Sequence, residues 1–193
     1  MHYSKFAVVS ALAAVATVLL VAIPGTAGRL GHDQVATAHV VQADNGLAAV
    51  RAATAPEHDV TVARANGYGL FTDAAGIACI DNPPVGAMGI HYVNGNLVAS
   101  GQIDPLRPQA LVYEPEKHGH LHLVAVEYIA DQKTWDATHS MAPMLFGQMF
   151  MLTTAPNRFG IPAFYSLHAW IWKHNPSGMF SMWNPQVSCN AEA

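Results

Sequence analysis

Three residues that could perform chemistry, His91, Glu127 and His168, lie in separate segments whose composition predicts β-strands. Glu127 is the most informative of them, because its alternation face in the segment Leu121–Ile129 is otherwise apolar. An unpaired buried charge costs several kcal/mol, so this carboxylate must be paired, protonated or bound to a cation. His168 is flanked by aromatic residues rather than by surface charges. The pattern therefore predicts one buried polar site, to which three strands each contribute a side chain.

Two imidazoles and one carboxylate on neighbouring strands suit a divalent transition metal such as Zn, Fe, Mn or Cu. Such a metal would keep open positions for water or for an oxygen-donor substrate. The alternative is a metal-free polar core, in which Glu127 hydrogen-bonds a histidine or a tyrosine. No H-x-H or H-E-x-x-H pattern includes any of the three residues, so the sequence leaves both possibilities open.

A histidine-rich segment, His118–His122, is a second candidate for metal binding. His120 and His122 share a strand face and could chelate a metal loosely. We favour the interpretation that the segment is the solvated tip of a hairpin. If that hairpin folds towards the predicted site, His122 becomes a further candidate ligand.

Aromatic residues near the C-terminus predict a ligand pocket. The predicted pocket is made by Trp170, Trp172, Phe180 and Trp183 with a Met/Phe cluster in residues 141–151. Trp170, Trp172 and Tyr128 are the candidate ligand-binding residues. Aromatic and methionine side chains also fill ordinary cores, and this alternative remains open.

Short β-prone segments separated by turn residues position these side chains. They cover Gly89–Val93, Ala110–Glu114, Leu121–Ile129 and Tyr165–Trp172, and the middle two read as a β-hairpin. Before them, residues 46–54 favour a helix, and Thr54 is the expected N-cap of another that ends at Gly67. The predicted fold is mainly β with one or two short N-terminal helices (α+β), arranged as a small antiparallel barrel or sandwich. Residues 130–163 form a long irregular excursion, as lids and binding loops do.

The first 45 residues predict export. An apolar run, Phe6–Ile23, follows Lys5 and precedes the small residues Gly25 and Ala27, which is typical of a signal peptide spanning residues 1–27. An uncleaved N-terminal anchor is the alternative. Residues 28–45 read as a flexible lead-in, and residues 46–193 as one globular domain. We therefore expect a secreted or cell-envelope protein, with no membrane association after cleavage.

The composition argues against one class of partner, nucleic acids, and the cysteines indicate a redox environment. The chain has 51% hydrophobic and 11% charged residues, a formal charge of −4 and no cluster of lysines or arginines, which argues against a nucleic-acid partner. The two cysteines, Cys79 and Cys189, predict one disulfide in an oxidising compartment. Free thiols acting as metal ligands are the alternative, but neither cysteine has a histidine or cysteine at ligand spacing.

The chain resembles a group of secreted bacterial proteins that carry the same motifs in the same order. The motifs are Met88-Gly89-Ile90-His91-Tyr92-Val93-Asn94, Asp104-Pro105, Leu111-Val112-Tyr113-Glu114-Pro115, Leu123-Val124-Ala125-Val126-Glu127-Tyr128, Leu145-Phe146-Gly147, Leu167-His168-Ala169-Trp170, Trp183-Asn184-Pro185 and Cys189. This resemblance covers about residues 50–189 and implies export and a shared fold rather than a particular reaction.

Three functions are consistent with these observations. The first is an exported domain with a buried His/Glu site that binds a divalent metal and holds or converts a small molecule. The second is a secreted, metal-free binding module for a small molecule. The third is an envelope structural protein in which the same polar residues only fix strand register. The sequence does not decide whether the protein is an enzyme.

Overall fold

A computed structural model describes residues 46–190 of the chain. The predicted signal peptide (residues 1–27) and lead-in (residues 28–45) lie outside the described residues. Within residues 46–190, no helix is both long enough and apolar enough to span a bilayer.

Short helices and longer strands make up the described part of the chain. The α-helices are α1 (residues 46–54), α2 (Val60–Ala65), α3 (Gly95–Ser100) and α4 (Gln132–Asp136), and 3₁₀ turns cover Ala55–His58 and Lys117–Gly119. The strands are β1 (Gly69–Leu70), β2 (Cys79–Asn82), β3 (Gly86–Val93), β4 (Ala110–Pro115), β5 (Leu121–Asp131), β6 (Met144–Leu145), β7 (Gln148–Met149), β8 (Met151–Thr153) and β9 (Phe164–Ala169).

Seven of these strands form one antiparallel sheet in the order β1-β3-β4-β5-β9-β8, with β2 pairing with β3 beside β1. Strands β6 and β7 form a separate two-stranded hairpin. The predicted mainly β fold with short helices is thus confirmed, as is the β4–β5 hairpin. The two ends of the strand order do not pair, so the sheet is open and is not closed into a barrel.

One face of the sheet packs against helices, and we call it the covered face. Leu47 and Val50 of α1 and Ala63 of α2 are buried against side chains of this face. Those side chains include Tyr92, Leu111, Tyr113, Leu123, Val126, Tyr128 and Leu167. Because successive residues of a strand point to opposite faces, the intervening residues of β3, β4, β5 and β9 lie on the other side, which we call the cavity face.

Gly89 allows β3 to approach β4 closely. Its φ of 108° lies in a region that residues other than glycine rarely adopt. A Cβ atom here would lie 2.5 Å from the carbonyl oxygen of Tyr113. The glycine is therefore required for strand pairing two residues before His91.

The N-terminal helices differ from the prediction in one respect. Thr54, the expected N-cap, makes no capping hydrogen bond, and its hydroxyl donates instead to the carbonyl of Val50. A 3₁₀ turn follows Thr54, and the side chain that caps α2 is Asp59, which accepts from the backbone N–H of Thr61.

Strand β9 ends earlier than predicted, at Ala169 rather than Trp172. The backbone turns away there because the N–H of Trp170 donates to Met179, while those of Trp172 and Lys173 both donate to Val124. The segment that follows crosses the cavity face, where Val187 is buried and Cys189 packs beside it. Cys189 is joined to Cys79 of β2, as the cysteine count predicted.

Candidate metal centre

The register of the sheet brings His91, Glu127 and His168 together. Glu127 on β5 pairs directly with His168 on β9. On its other side Glu127 pairs with Ala110 of β4, whereas His91 of β3 pairs with Val112 of the same strand. Only the small side chains of β4 therefore separate His91 from Glu127, and the imidazole can reach across that strand.

The polar atoms of the three side chains face one another at nearly equal separations. His91 Nε2 lies 3.5 Å from Glu127 Oε2 and 3.4 Å from His168 Nε2. His168 Nδ1 lies 3.5 Å from Glu127 Oε1. One ligand atom from each residue falls within 4.8 Å of the other two, so this group could hold a metal ion.

All three side chains are removed from solvent, with relative exposures of 5% for His91, 5% for Glu127 and 3% for His168. Burial lowers the pKa of each histidine to about 4, so both imidazoles are neutral at pH 7. Burial also raises the pKa of Glu127, although His91 and the hydroxyl of Ser166 oppose that shift. Neutral imidazoles are the form that binds metals.

The hydrogen bonding of this cluster is incomplete. Both His–Glu separations exceed the range of about 2.7–3.2 Å that is usual for N–H···O hydrogen bonds. His91 Nδ1 is buried without a hydrogen-bond partner among the described residues. A hydrogen bond of 3.4 Å joins Nε2 of His91 to Nε2 of His168, so the bonding of the cluster is partial.

An apolar cavity of about 730 Å³ opens above the three side chains. Strand side chains form its floor, α3 forms one wall, and residues 151–161 form another. Its apolar lining includes Phe71, Met88, Val93, Val98, Ile129, Phe159, Phe164 and Trp183. Polar residues also line it, including Asp81, Asn157 and Ser166, together with Arg158, which is paired with Asp73 at 2.9 Å. Such a cavity has the size and character of a small-molecule site.

The three predicted ligand-binding aromatic residues do not line this cavity. Tyr128 is fully buried on the covered face, and its hydroxyl donates to the carbonyl of Pro105. Trp172 packs against the same core, with its indole N–H donating to the hydroxyl of Thr54. Trp170 is buried on the cavity face, where its ring stacks near His168 at a centroid distance of 6.1 Å.

The histidine-rich segment lies apart from the centre. His118 and His120 are exposed at the tip of the β4–β5 hairpin. His122 is exposed as well, with Nδ1 at 3.9 Å from Glu116 Oε1. The hairpin does not bring His122 to the cluster, so the interpretation as a solvated tip fits the structure.

Sequence reasoning missed most of the cavity wall. Val98 and Ala99 come from α3, a helix that was not predicted because turn residues are frequent in this region of the sequence. Met151, Phe159 and Ile161 come from the long excursion, where the available signal was only its length. Comparison of the chain with protein-family models, curated proteins and solved structures found no match.

Proposed function

We propose that the protein binds one divalent transition-metal ion between His91, Glu127 and His168. We further propose that the metal's open positions take an oxygen donor of a small apolar molecule held in the cavity. The observation that carries the proposal is the buried group of two neutral imidazoles and one carboxylate, in which His91 Nε2 lies 3.4 Å from His168 Nε2 and 3.5 Å from Glu127 Oε2. Ligand atoms around a tetrahedral zinc ion, with bonds of about 2.0–2.1 Å, lie about 3.3 Å apart.

The two oxygens of Glu127 would have different roles in such a centre. Oε2 lies near His91 Nε2 and would bind the ion. Oε1 lies near His168 Nδ1 and would accept its N–H, which fixes the tautomer that leaves Nε2 of His168 free to bind. His91 Nε2 and His168 Nε2 already face each other. A bound cation would also offset the unfavourable burial of the carboxylate.

Elemental analysis of the full-length protein, purified without chelators, tests the metal proposal. We expect close to one transition-metal ion per chain, and its identity would distinguish Zn from Fe, Mn and Cu. A His91→Ala/His168→Ala double variant should lose the metal and keep its far-ultraviolet circular dichroism. The matched control, His120→Ala/His122→Ala on the exposed hairpin, should keep it. Protein that remains free of metal after incubation with all four ions would overturn the proposal.

The apolar cavity also supports a second candidate function, which is a secreted binding module without a metal. Straight-chain carboxylates of increasing length are suitable probes for both, because each pairs an oxygen donor with an apolar chain. If the metal proposal holds, binding should tighten with chain length and weaken when the metal is removed. Binding that is equally strong in metal-free protein would instead support the second candidate.

A cavity-filling variant locates the bound probe. Val98 lies on α3 and lines the cavity without belonging to the sheet, so Val98→Trp should block the carboxylates while leaving the metal content unchanged. Asn96→Trp is the matched control, since Asn96 is an exposed residue of the same helix outside the cavity lining. Equal binding by both variants would place the probes elsewhere on the molecule.

A further inference from the structure

A second cavity, of about 310 Å³, lies beside the 3₁₀ turn Ala55–His58. It shares no lining residue with the cavity above the metal centre. Its polar lining includes Glu57, Asn66, Tyr68 and Arg107. The volume is at the lower end of the range of about 300–1,000 Å³ that small-molecule sites occupy.

Glu57 supplies this cavity with an incompletely bonded carboxylate. The residue is 7% exposed, and its Oε1 accepts a hydrogen bond of 2.8 Å from the amide of Asn66. Its Oε2 is buried and has no partner among the described residues. After burial itself, the charge of Glu57 is the largest cause that raises the pKa of Tyr68, to about 12. A buried acceptor left in this state favours a ligand that brings a hydrogen-bond donor, above all a cationic one.

Arg107 supplies the opposite charge to the same cavity. It is exposed, and its positive charge acts on Tyr68 in the sense opposite to that of Glu57. The ion pairs recorded in residues 46–190 include neither Arg107 nor Glu57. The cavity therefore presents two opposite charges that are not paired with each other, and the apolar side chains of Leu97 and Leu106 also line it.

We infer that this cavity binds a small zwitterion, specifically a free α-amino acid. The ammonium group would donate to the carboxylate of Glu57, and the carboxylate of the amino acid would accept from the guanidinium of Arg107. The side chain would lie against Leu97 and Leu106. Two separated charges complement a molecule whose own charges are separated, and they disfavour a ligand that carries only one of them.

Titration calorimetry on the full-length chain, with each of the twenty common L-amino acids as probe, tests this inference. We expect at least one of them to bind at millimolar concentration or better. The N-acetyl and carboxamide forms of that amino acid each lack one charge and should bind about ten- to a hundredfold more weakly, as expected for loss of a charged hydrogen bond. Failure of all twenty to bind would overturn the inference and leave water as the occupant of the cavity.

Two variants tie any binding to this cavity. Glu57→Gln keeps the size of the side chain, and Arg107→Gln changes an exposed residue. Each should weaken amino-acid binding about tenfold or more, whereas Glu116→Gln on the exposed hairpin should not. If Glu57→Gln does not fold, Arg107→Gln carries the test, and unchanged binding in it would refute the assignment. Metal content should be the same in all of these variants, so this inference and the metal proposal can fail separately.

Discussion

The two faces of strand β5 place neighbouring residues in different environments. On the covered face, the hydroxyl of Tyr128 donates to the backbone carbonyl of Pro105 at 2.7 Å, and that of Tyr113 on β4 donates to the backbone carbonyl of Glu57 at 2.6 Å. On the cavity face, Glu127 lies 3.5 Å from each of two histidines. Both faces bury polar atoms. The tyrosine hydroxyls of the covered face lie within ordinary hydrogen-bond distance of their acceptors, whereas the carboxylate of Glu127 lies farther than that from both histidines.

This difference shows where the molecule departs from a core built for stability alone. Two buried side-chain atoms in the described residues lack a hydrogen-bond partner, His91 Nδ1 and Glu57 Oε2. Each belongs to a residue that lines one of the two cavities described above. Folded proteins pair nearly all buried polar atoms, so the two exceptions mark residues whose placement is not explained by core stability alone.

Lowering the pH should affect the cavity face most strongly. The pKa of His91 and of His168 is about 4 in the folded protein, against 6.5 when exposed. Between these values the unfolded chain binds more protons, so each histidine lowers the stability by about 1.4 kcal/mol per unit of falling pH. The raised pKa of Glu127 opposes this, because its folded carboxyl gains a proton earlier than the unfolded one. We expect a net loss of stability from pH 6.5 to 4 in metal-free protein, because two histidines outweigh one carboxyl group.

Urea unfolding at several pH values, with a chelator present, measures that loss. A His91→Gln/His168→Gln variant should show a much flatter dependence, while His120→Gln on the exposed hairpin should match the wild type. The tyrosines of the covered face do not titrate in this range, since the pKa of Tyr68 is raised to about 12. Parallel curves for the wild type and the double variant would show that the buried imidazoles do not set the pH dependence.

The disulfide should be the next largest contribution. It links Cys79 to Cys189 across 110 residues and ties down the segment that packs on the cavity face. In the chain-entropy model, a disulfide that closes a loop of this length lowers the entropy of the unfolded chain and so stabilises the folded state by about 4–5 kcal/mol. A Cys79→Ala/Cys189→Ala variant should lose that amount in urea unfolding. A loss below about 1 kcal/mol would mean that packing alone holds this face together.

Much of the sheet could be predicted from the sequence, because strands and turns are specified by neighbouring residues along the chain. Alternation around Glu127 placed the carboxylate on an otherwise apolar face, and the turn residues between Pro115 and Leu121 marked the hairpin. The convergence of His91, Glu127 and His168 followed from one assumption, that three strand-borne polar residues on apolar faces share a site. The structure brings them together through strand register.

The cavity walls could not be predicted in the same way. Val98 reaches the cavity from a six-residue helix, and Ile161 reaches it from an irregular segment, so neither has a periodic signal. Tyr128 is a different case. Its aromatic character suggested a ligand contact, but its position next to Glu127 on a strand turns it to the covered face. Glu57 and Arg107 carry no such signal either, because only tertiary packing brings them to the same cavity.

Truncating the covered face should reduce stability without affecting the metal. Leu111 is fully buried there, and Leu111→Ala should cost about 3 kcal/mol through lost burial and an unfilled cavity. Its neighbour Val112 points to the cavity face between the strands that carry His91 and Glu127. Val112→Ala should cost less stability but should weaken metal binding, as measured by competition with a chelating dye. Equal metal affinities in the two variants would show that β4 does not set the spacing of the centre.

The smallest change compares two adjacent residues of β5. Tyr128→Phe removes a single hydroxyl and leaves the carbonyl of Pro105 without its donor, so it should cost about 1 kcal/mol with no change in metal content. Glu127→Gln keeps the shape but removes the charge, so metal-free protein should be at least as stable as the wild type. The same variant should lose the metal, because a neutral amide is a poor ligand. Full metal occupancy in Glu127→Gln would remove this carboxylate from the coordination sphere and leave it the same structural role as the hydroxyl on the opposite face.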